Sequence, residues 1–361
     1  MKKLLTLLLA VLMLVSLAAC GGKTEPTEPT TPEVTEATYT LGMGTVVKLD
    51  SSKESNAQVD ATVAAVVLDA DGKIVNCTID AIQNKMDVSE GVANPEATFL
   101  TKMEKGDDYN MVKFAADCNI EWYDQAKNFA NYCVGKTAAE VGAIETTERN
   151  DGVGHDGYIV AADADLFAQC SITITDFKEA VVKACNDEQG TTFTAEPGTF
   201  ALGLAVSSNA TSSTDPTADA DGVVAMYSEY ACTVVNNDGV ILASLTDAIQ
   251  PKVAFDADGL VGETTFKATK RELKEDYNMV KFAADCNIEW YQQAANFTNY
   301  VVGKTADEVL AIPTVERADG VGHDGYIVAA DADLFAQCSI TITTMKEVVA
   351  RAAKLALNPL H

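Results

Sequence analysis

A stretch of the chain occurs twice without a single change. Asp151 to Thr175 reads DGVGHDGYIVAADADLFAQCSITIT, and Asp319 to Thr343 reads the same. A second block, Asp108 to Tyr123, returns as Asp276 to Tyr291. Both repeats are offset by 168 residues, so the two copies keep the same internal spacing. A period this long is not that of a solenoid. It requires two similar halves, each long enough to bury a core, and 361 residues suit two such domains.

The expected boundaries are a signal segment at 1–20, a linker at 21–38, a first domain at 39–186 and a second at 198–357. Lys2 and Lys3 precede an apolar run from Leu4 to Leu17 that is short for a membrane span. Leu17-Ala18-Ala19-Cys20 follows and resembles the lipobox of bacterial lipoproteins, which implies lipidation at Cys20, export, and anchoring to the outer face of the cytoplasmic membrane. The segment TEPTEPTTPEVTEAT is poor in large apolar residues and suits an extended tether. A net charge of −27 argues against nucleic-acid binding and against docking on anionic headgroups.

Within each copy, apolar runs flank Asp71-Gly72 and Asp238-Gly239, the signature of a β-hairpin. The polar sets Asp80–Lys85 and Asp247–Lys252 suggest a strand leaving its sheet. Met111, Phe114, Ala115, Cys118, Trp122, Ala126, Phe129 and Cys133 advance by three or four, which predicts one long helix with Trp122 (and Trp290 in the second copy) on its buried stripe. Thr137 with Glu140, and Thr305 with Glu308, are expected capping boxes. The glycine-dense stretch around His155 and His323 is a loop. Ile159 to Ala162 is a strand, and Cys170 to Thr175 a further one. Asp176 then caps a helix in the first copy, with neutral Thr344 at that place in the second. Asn186 to Gly198 is an interdomain connection. The copies differ most at Ser207 to Gly222, and the last helix runs to about Leu357. The fold class is α+β: two tandem similar domains, each a twisted antiparallel sheet packed against helices.

The chemistry-bearing residues are few. One histidine beside one aspartate in each loop falls short of a metal site, and the glycines match no nucleotide-binding fingerprint. Ser171, His155 and Asp156 lack the elbow of a hydrolase nucleophile. Cysteines divide unevenly between the copies and include no C-x-x-C pair, so most read as buried small hydrophobes rather than a disulfide framework. No catalytic set and no metal set is assigned.

The plan of each copy, a hairpin with DGKIV, then a helix, then SITIT ahead of a further helix, resembles the FMN-binding domain of exported bacterial proteins, including lipoproteins with two such domains. The resemblance implies extracellular electron transfer, with FMN attached through a phosphoester to a threonine by a separate flavin transferase. By position that threonine is Thr173 in the first copy and Thr341 in the second, flanked by Ser171, Thr175, Ser339 and Thr343. Phe167 and Phe335 stand where the family has Asp, and Cys170 and Cys338 where it has Ser. Ser171 and Ser339 replace its Gly, and Ile172 and Ile340 its Ala. A helix start just beyond Thr173 or Thr341 favours a phosphate, more so in the second copy, where no aspartate competes. The implied partners are the membrane, a flavin transferase and redox proteins. The alternative is a cell-surface binding or structural module without flavin.

Overall fold

The computed structural model describes residues 35–361 apart from 115–118, 151, 153–154, 283–286, 319 and 321–322. The expected signal, Cys20 and most of the linker lie outside the described residues.

The first copy opens with β1 (Ala37–Lys48), β2 (Asn56–Leu68), β3 (Ile74–Asp87) and the short β4 (Thr98–Phe99). Next come α1 (Lys102–Lys105), a 3-10 turn at Gly106–Tyr109, α2 (Met111–Phe114), α3 (Trp122–Cys133) and α4 (Ala138–Gly142). The small hairpin β5 (Thr146–Glu148) and β6 (Ile159–Ala161), α5 (Ala164–Gln169) and α6 (Thr175–Cys185) complete it, and β7 (Thr191–Ala195) follows. The second copy holds β8 (Phe200–Asn209), β9 (Gly222–Ala225), β10 (Tyr227–Asn236), β11 (Ile241–Ile249), β12 (Lys252–Phe255) and β13 (Val261–Thr265). It continues with α7 (Lys270–Leu273), α8 (Met279–Phe282), α9 (Trp290–Val301), α10 (Ala306–Leu310), β14 (Thr314–Glu316), β15 (Ile327–Ala329), α11 (Ala332–Gln337) and α12 (Thr343–Leu357). The class is α+β, with antiparallel sheets.

One four-stranded sheet has the order β3-β2-β1-β7 and the other β11-β10-β8-β4. The hairpins form where Asp-Gly predicts them, with Gly72 and Gly239 at φ 73° and 79°. Asp69 and Asn236 brace these turns by accepting two backbone N–H bonds each. Alternate residues of each strand face opposite ways. Val59, Ala61, Val63, Ala65 and Val67 join Leu204, Val206, Tyr230, Cys232 and Val234 in a core shared by both copies. Ala64, Val66 and Leu68 face the helices of the first copy. Ala205, Ala231 and Val235 face those of the second. The result is helices, sheet, sheet, helices, and residues Glu36–His361 form one compact unit. Because both faces of each sheet are covered, the strands read as nearly continuous apolar runs. Helix α6 lies directly on β1: a Cβ at Gly42 would sit 2.1 Å from the Ala184 carbonyl oxygen, and one at Gly203 2.0 Å from that of Ala352.

Several expectations change. The long helix is two pieces, because Glu121 turns back to accept the amides of Met111 and Val112 at 3.0 and 3.4 Å and then starts α3. Ala115 and Cys118 lie outside the described residues. Asp80 to Lys85 does not leave its sheet but continues β3, with Asp80 buried. The connection 186–198 contains β7, which pairs with β1. Cys170 to Ile174 is not a strand, and Thr175 already belongs to α6. Gln125, itself fully buried, accepts the Ser171 and Ile172 amides at 2.8 and 3.2 Å and so occupies the groups a ladder would need. Asp176 does not cap α6. The cap residue is Ile174, without a side-chain hydrogen bond, and Asp176 pairs instead with Lys48 at 2.6 Å.

Candidate functional site

The repeated loop–helix junction is built alike in both copies. In the second, the buried Gln293 side chain accepts the Ser339 and Ile340 amides at 2.8 and 3.2 Å and donates to the Ile288 carbonyl at 2.8 Å. Cys338 and Ile342 are buried on either side, and the Ile342 amide donates to Ile327 on β15. These anchors leave Thr341 exposed between them. Helix α12 then begins with no side-chain cap, so its first amides face outward without a protein acceptor from the cap.

Beside this junction, α7 delivers a buried cation. The Thr269–Glu272 capping box sets the start of α7. The Asp247 carboxylate, which accepts the Ala248 and Arg271 amides at 2.7 and 2.9 Å, ties α7 to β11. Lys270 is thereby held inward, 7% exposed. Its ammonium lies 4.9 Å from the ring of Tyr227, 5.0 Å from Tyr277 and 4.9 Å from Trp290. Aromatic faces attract a cation there. Glu229, one alternation along β10 from Tyr227, accepts the Tyr227 hydroxyl at 3.2 Å through Oε2. Its Oε1 is buried and has no hydrogen-bond partner. Burial holds the Glu229 carboxyl above the usual carboxylate range against the pull of Lys270, and burial draws the Lys270 amine downward against Glu229 and Asp247.

These groups line one cleft of two lobes that share Tyr227, Gln250, Lys270 and Thr341. The first lobe, about 280 Å³, is walled by Tyr277, Trp290, Arg317, His323, Tyr326 and Ser339. Arg317 also packs its guanidinium over Phe335 at 5.7 Å. The second lobe, about 490 Å³, adds Asn209, Thr211, Ser212, Glu229, Lys252 and Thr344.

Of the residues expected to hold a cofactor, Ser339 and Thr341 thus meet the cations and aromatic rings in one place. Thr343 opens α12 and is exposed. In the first copy Ser171, Thr173 and Thr175 take the matching places, half-buried. Lys102 stands there over Tyr109 and Trp122 at 4.9 and 5.4 Å. At the register of Tyr227 and Glu229, however, the first copy has Asp60 and Thr62. Its helix also carries Asp176, already paired with Lys48, in the first turn. The rings of His155 and Tyr158, and of His323 and Tyr326, lie 5.3 Å apart. Among the described residues no group of three His, Cys, Asp or Glu could hold a metal. Sequence reasoning missed Lys270, Tyr227, Glu229 and Arg317. Two signals for them were present: a lysine and an arginine repeated at fixed spacing with the blocks, and a tyrosine and a carboxylate in the run YSEYACTVV.

No family model matches the chain, and no solved structure does. A chlorophenol reductase of Desulfitobacterium hafniense is 29% identical over 116 residues, covering 28% of this chain and 35% of that protein. The chain therefore matches about a third of that relative's length.

Proposed function

We propose that the chain is an exported, lipid-anchored electron carrier that binds FMN in the cleft of its second copy. The observation that carries this reading is the meeting of Ser339 and Thr341 with Lys270, Arg317 and four aromatic side chains in one cleft. The residues present fit the group. Lys270, the hydroxyls of Thr341 and Thr344 and the uncapped start of α12 suit a phosphate. Trp290, Tyr277 and Tyr326 suit a flat ring, and the unpartnered Oε1 of Glu229 suits a polar chain or ring edge. In the first copy the carboxylates of Asp60 and Asp176 make the matching place less suited to an anion, so a single occupied site is the expectation.

When bound, the flavin supplies the electron-transfer chemistry. The chain's own residues bind and orient it. Gln293 fixes the backbone on which Thr341 stands, and the aromatic cage fixes Lys270. A buried cation near an electron carrier favours the reduced, more negative form. The resemblance of part of the chain to a chlorophenol reductase agrees with a redox role. The anchor at Cys20 belongs to the same proposal. No helix among the described residues is long and apolar enough to cross a membrane.

The test is intact mass and visible spectrum of protein made together with a flavin transferase. One added FMN on the peptide containing Thr341, lost in T341V, is expected if the link is covalent. Yellow protein of unmodified mass, bleached by dialysis and weakened by K270M, keeps a non-covalent carrier. Colourless, unmodified protein overturns the reading and leaves a binding module without flavin.

A further inference from the structure

Where the two copies meet, the molecule has two matching hollows, and they are filled differently. In one, Arg271 of the second copy reaches Asp187 of the first, both guanidinium nitrogens Nη1 and Nη2 donating to Oδ2 at 3.1 Å. Lys183 beside it pairs with Glu272 at 2.7 Å and donates to the Thr45 carbonyl at 2.8 Å. Each of these two cations has an internal oxygen.

The other hollow, about 220 Å³, is made by the matching positions of the opposite copies. Met103 stands for Arg271, Leu355 for Asp187, Glu104 for Glu272 and Arg351 for Lys183. Arg351 pairs through Nη1 with Glu104 at 3.1 Å. Its Nε and Nη2, the two donors of one guanidinium edge, are shielded from water and have no hydrogen-bond partner. That edge is the fork that receives a carboxylate through two parallel bonds. The Asp187–Arg271 pair of the first hollow is Leu355–Met103 here, while Arg351 and Glu104 keep the place of Lys183 and Glu272. The remaining wall combines an apolar side, with Ile79, Leu202, Leu204 and Leu360, and a polar one that includes Asp80 and Lys127.

We propose that this hollow binds a small monocarboxylate with an apolar chain, its carboxylate on the Nε–Nη2 edge of Arg351 and its chain against the leucines. Glu104 holds the guanidinium in place from the other side. The size suits a chain of about six carbons, since a cavity of about 150 Å³ already takes benzene. The site is separate from the flavin cleft and does not rest on that reading.

The test is calorimetric titration of the purified full-length chain with hexanoate, with hexanol and hexylamine as matched controls. Saturable hexanoate binding is expected, at least tenfold tighter than either control. R351M should weaken it at least tenfold, and R351K, which keeps the charge but not the fork, nearly as much. L355D, which restores the internal carboxylate of the other hollow, should abolish it while circular dichroism stays unchanged. No hexanoate binding at millimolar concentration, equal binding of hexanol, or unchanged binding in folded R351M would each overturn the proposal.

Discussion

The Asp187–Arg271 pair is the sharpest test of how the two copies hold together. Both side chains are nearly dry, 9% and 8% exposed. Arg271 also donates to the Gln189 carbonyl at 2.9 Å, and Asp187 accepts the Met43 and Gln189 amides at 3.0 and 2.9 Å. In D187L the guanidinium keeps only the Gln189 carbonyl, and the Met43 amide loses its acceptor. Stranding a buried charge costs about 3–5 kcal/mol, so the single change should cost about 4 kcal/mol. R271M leaves a carboxylate still bonded to two amides and should cost less, about 3 kcal/mol. The double variant D187L/R271M reproduces the Leu355–Met103 pairing that the molecule already tolerates at the matching place. No charge is stranded in it, so it should cost about 3 kcal/mol rather than the sum of about 7, a coupling of about 4 kcal/mol. The assay is urea denaturation followed by the fluorescence of Trp122 and Trp290, the chain's two tryptophans. A double variant as unstable as the sum of the singles would show that the pair does not act as a unit, and would refute the reasoning.

Two further outcomes concern buried polar groups within a single copy. Burial pushes Asp80 up to about 7 despite hydrogen bonds from Thr101 and the Met103 and Ala81 amides; the folded state therefore holds a proton that the unfolded chain releases near pH 4, and stability falls as pH rises from about 4 to about 7. D80N, compared with the parent by urea melts, should gain little at pH 4 and about 4 kcal/mol more at pH 8, and a difference that does not grow with pH would sink the assignment. Q293L removes the acceptor of the Ser339 and Ile340 amides and the donor to Ile288; it should cost about 2–4 kcal/mol and speed hydrogen exchange at Ser339 and Ile340 while the Gln125-held amides of Ser171 and Ile172 stay slow, whereas uniform acceleration in both copies would contradict a local role.

Local chemistry made much of the fold legible. An exact repeat at constant offset requires two like halves wherever they lie. Asp-Gly between apolar runs makes a hairpin, and Thr-x-x-Glu makes a capping box, because both depend on neighbours within a few residues. Ser339 and Thr341 could be named for the same reason, from the short run that contains them. What failed was whatever depended on a distant partner. SITIT has the composition of a strand, but Gln125 and Gln293, 46 and 47 residues earlier in each copy, take its amides. The helix predicted through Cys133 breaks because Glu121 prefers the amides of Met111 and Val112. The sequence by itself therefore determined the duplication, the hairpins, the Thr-x-x-Glu capping boxes and the α+β class. Only the tertiary structure decided that the two sheets share a core, that Lys270 is ringed by side chains from three separate segments, and that one seam hollow closes on its own carboxylate while the other leaves an arginine edge bare. Those outcomes turn on the burial of polar groups. Which distant oxygen or ring reaches a buried nitrogen is set by packing, and nothing within a few residues of Lys270 or Arg351 encodes it.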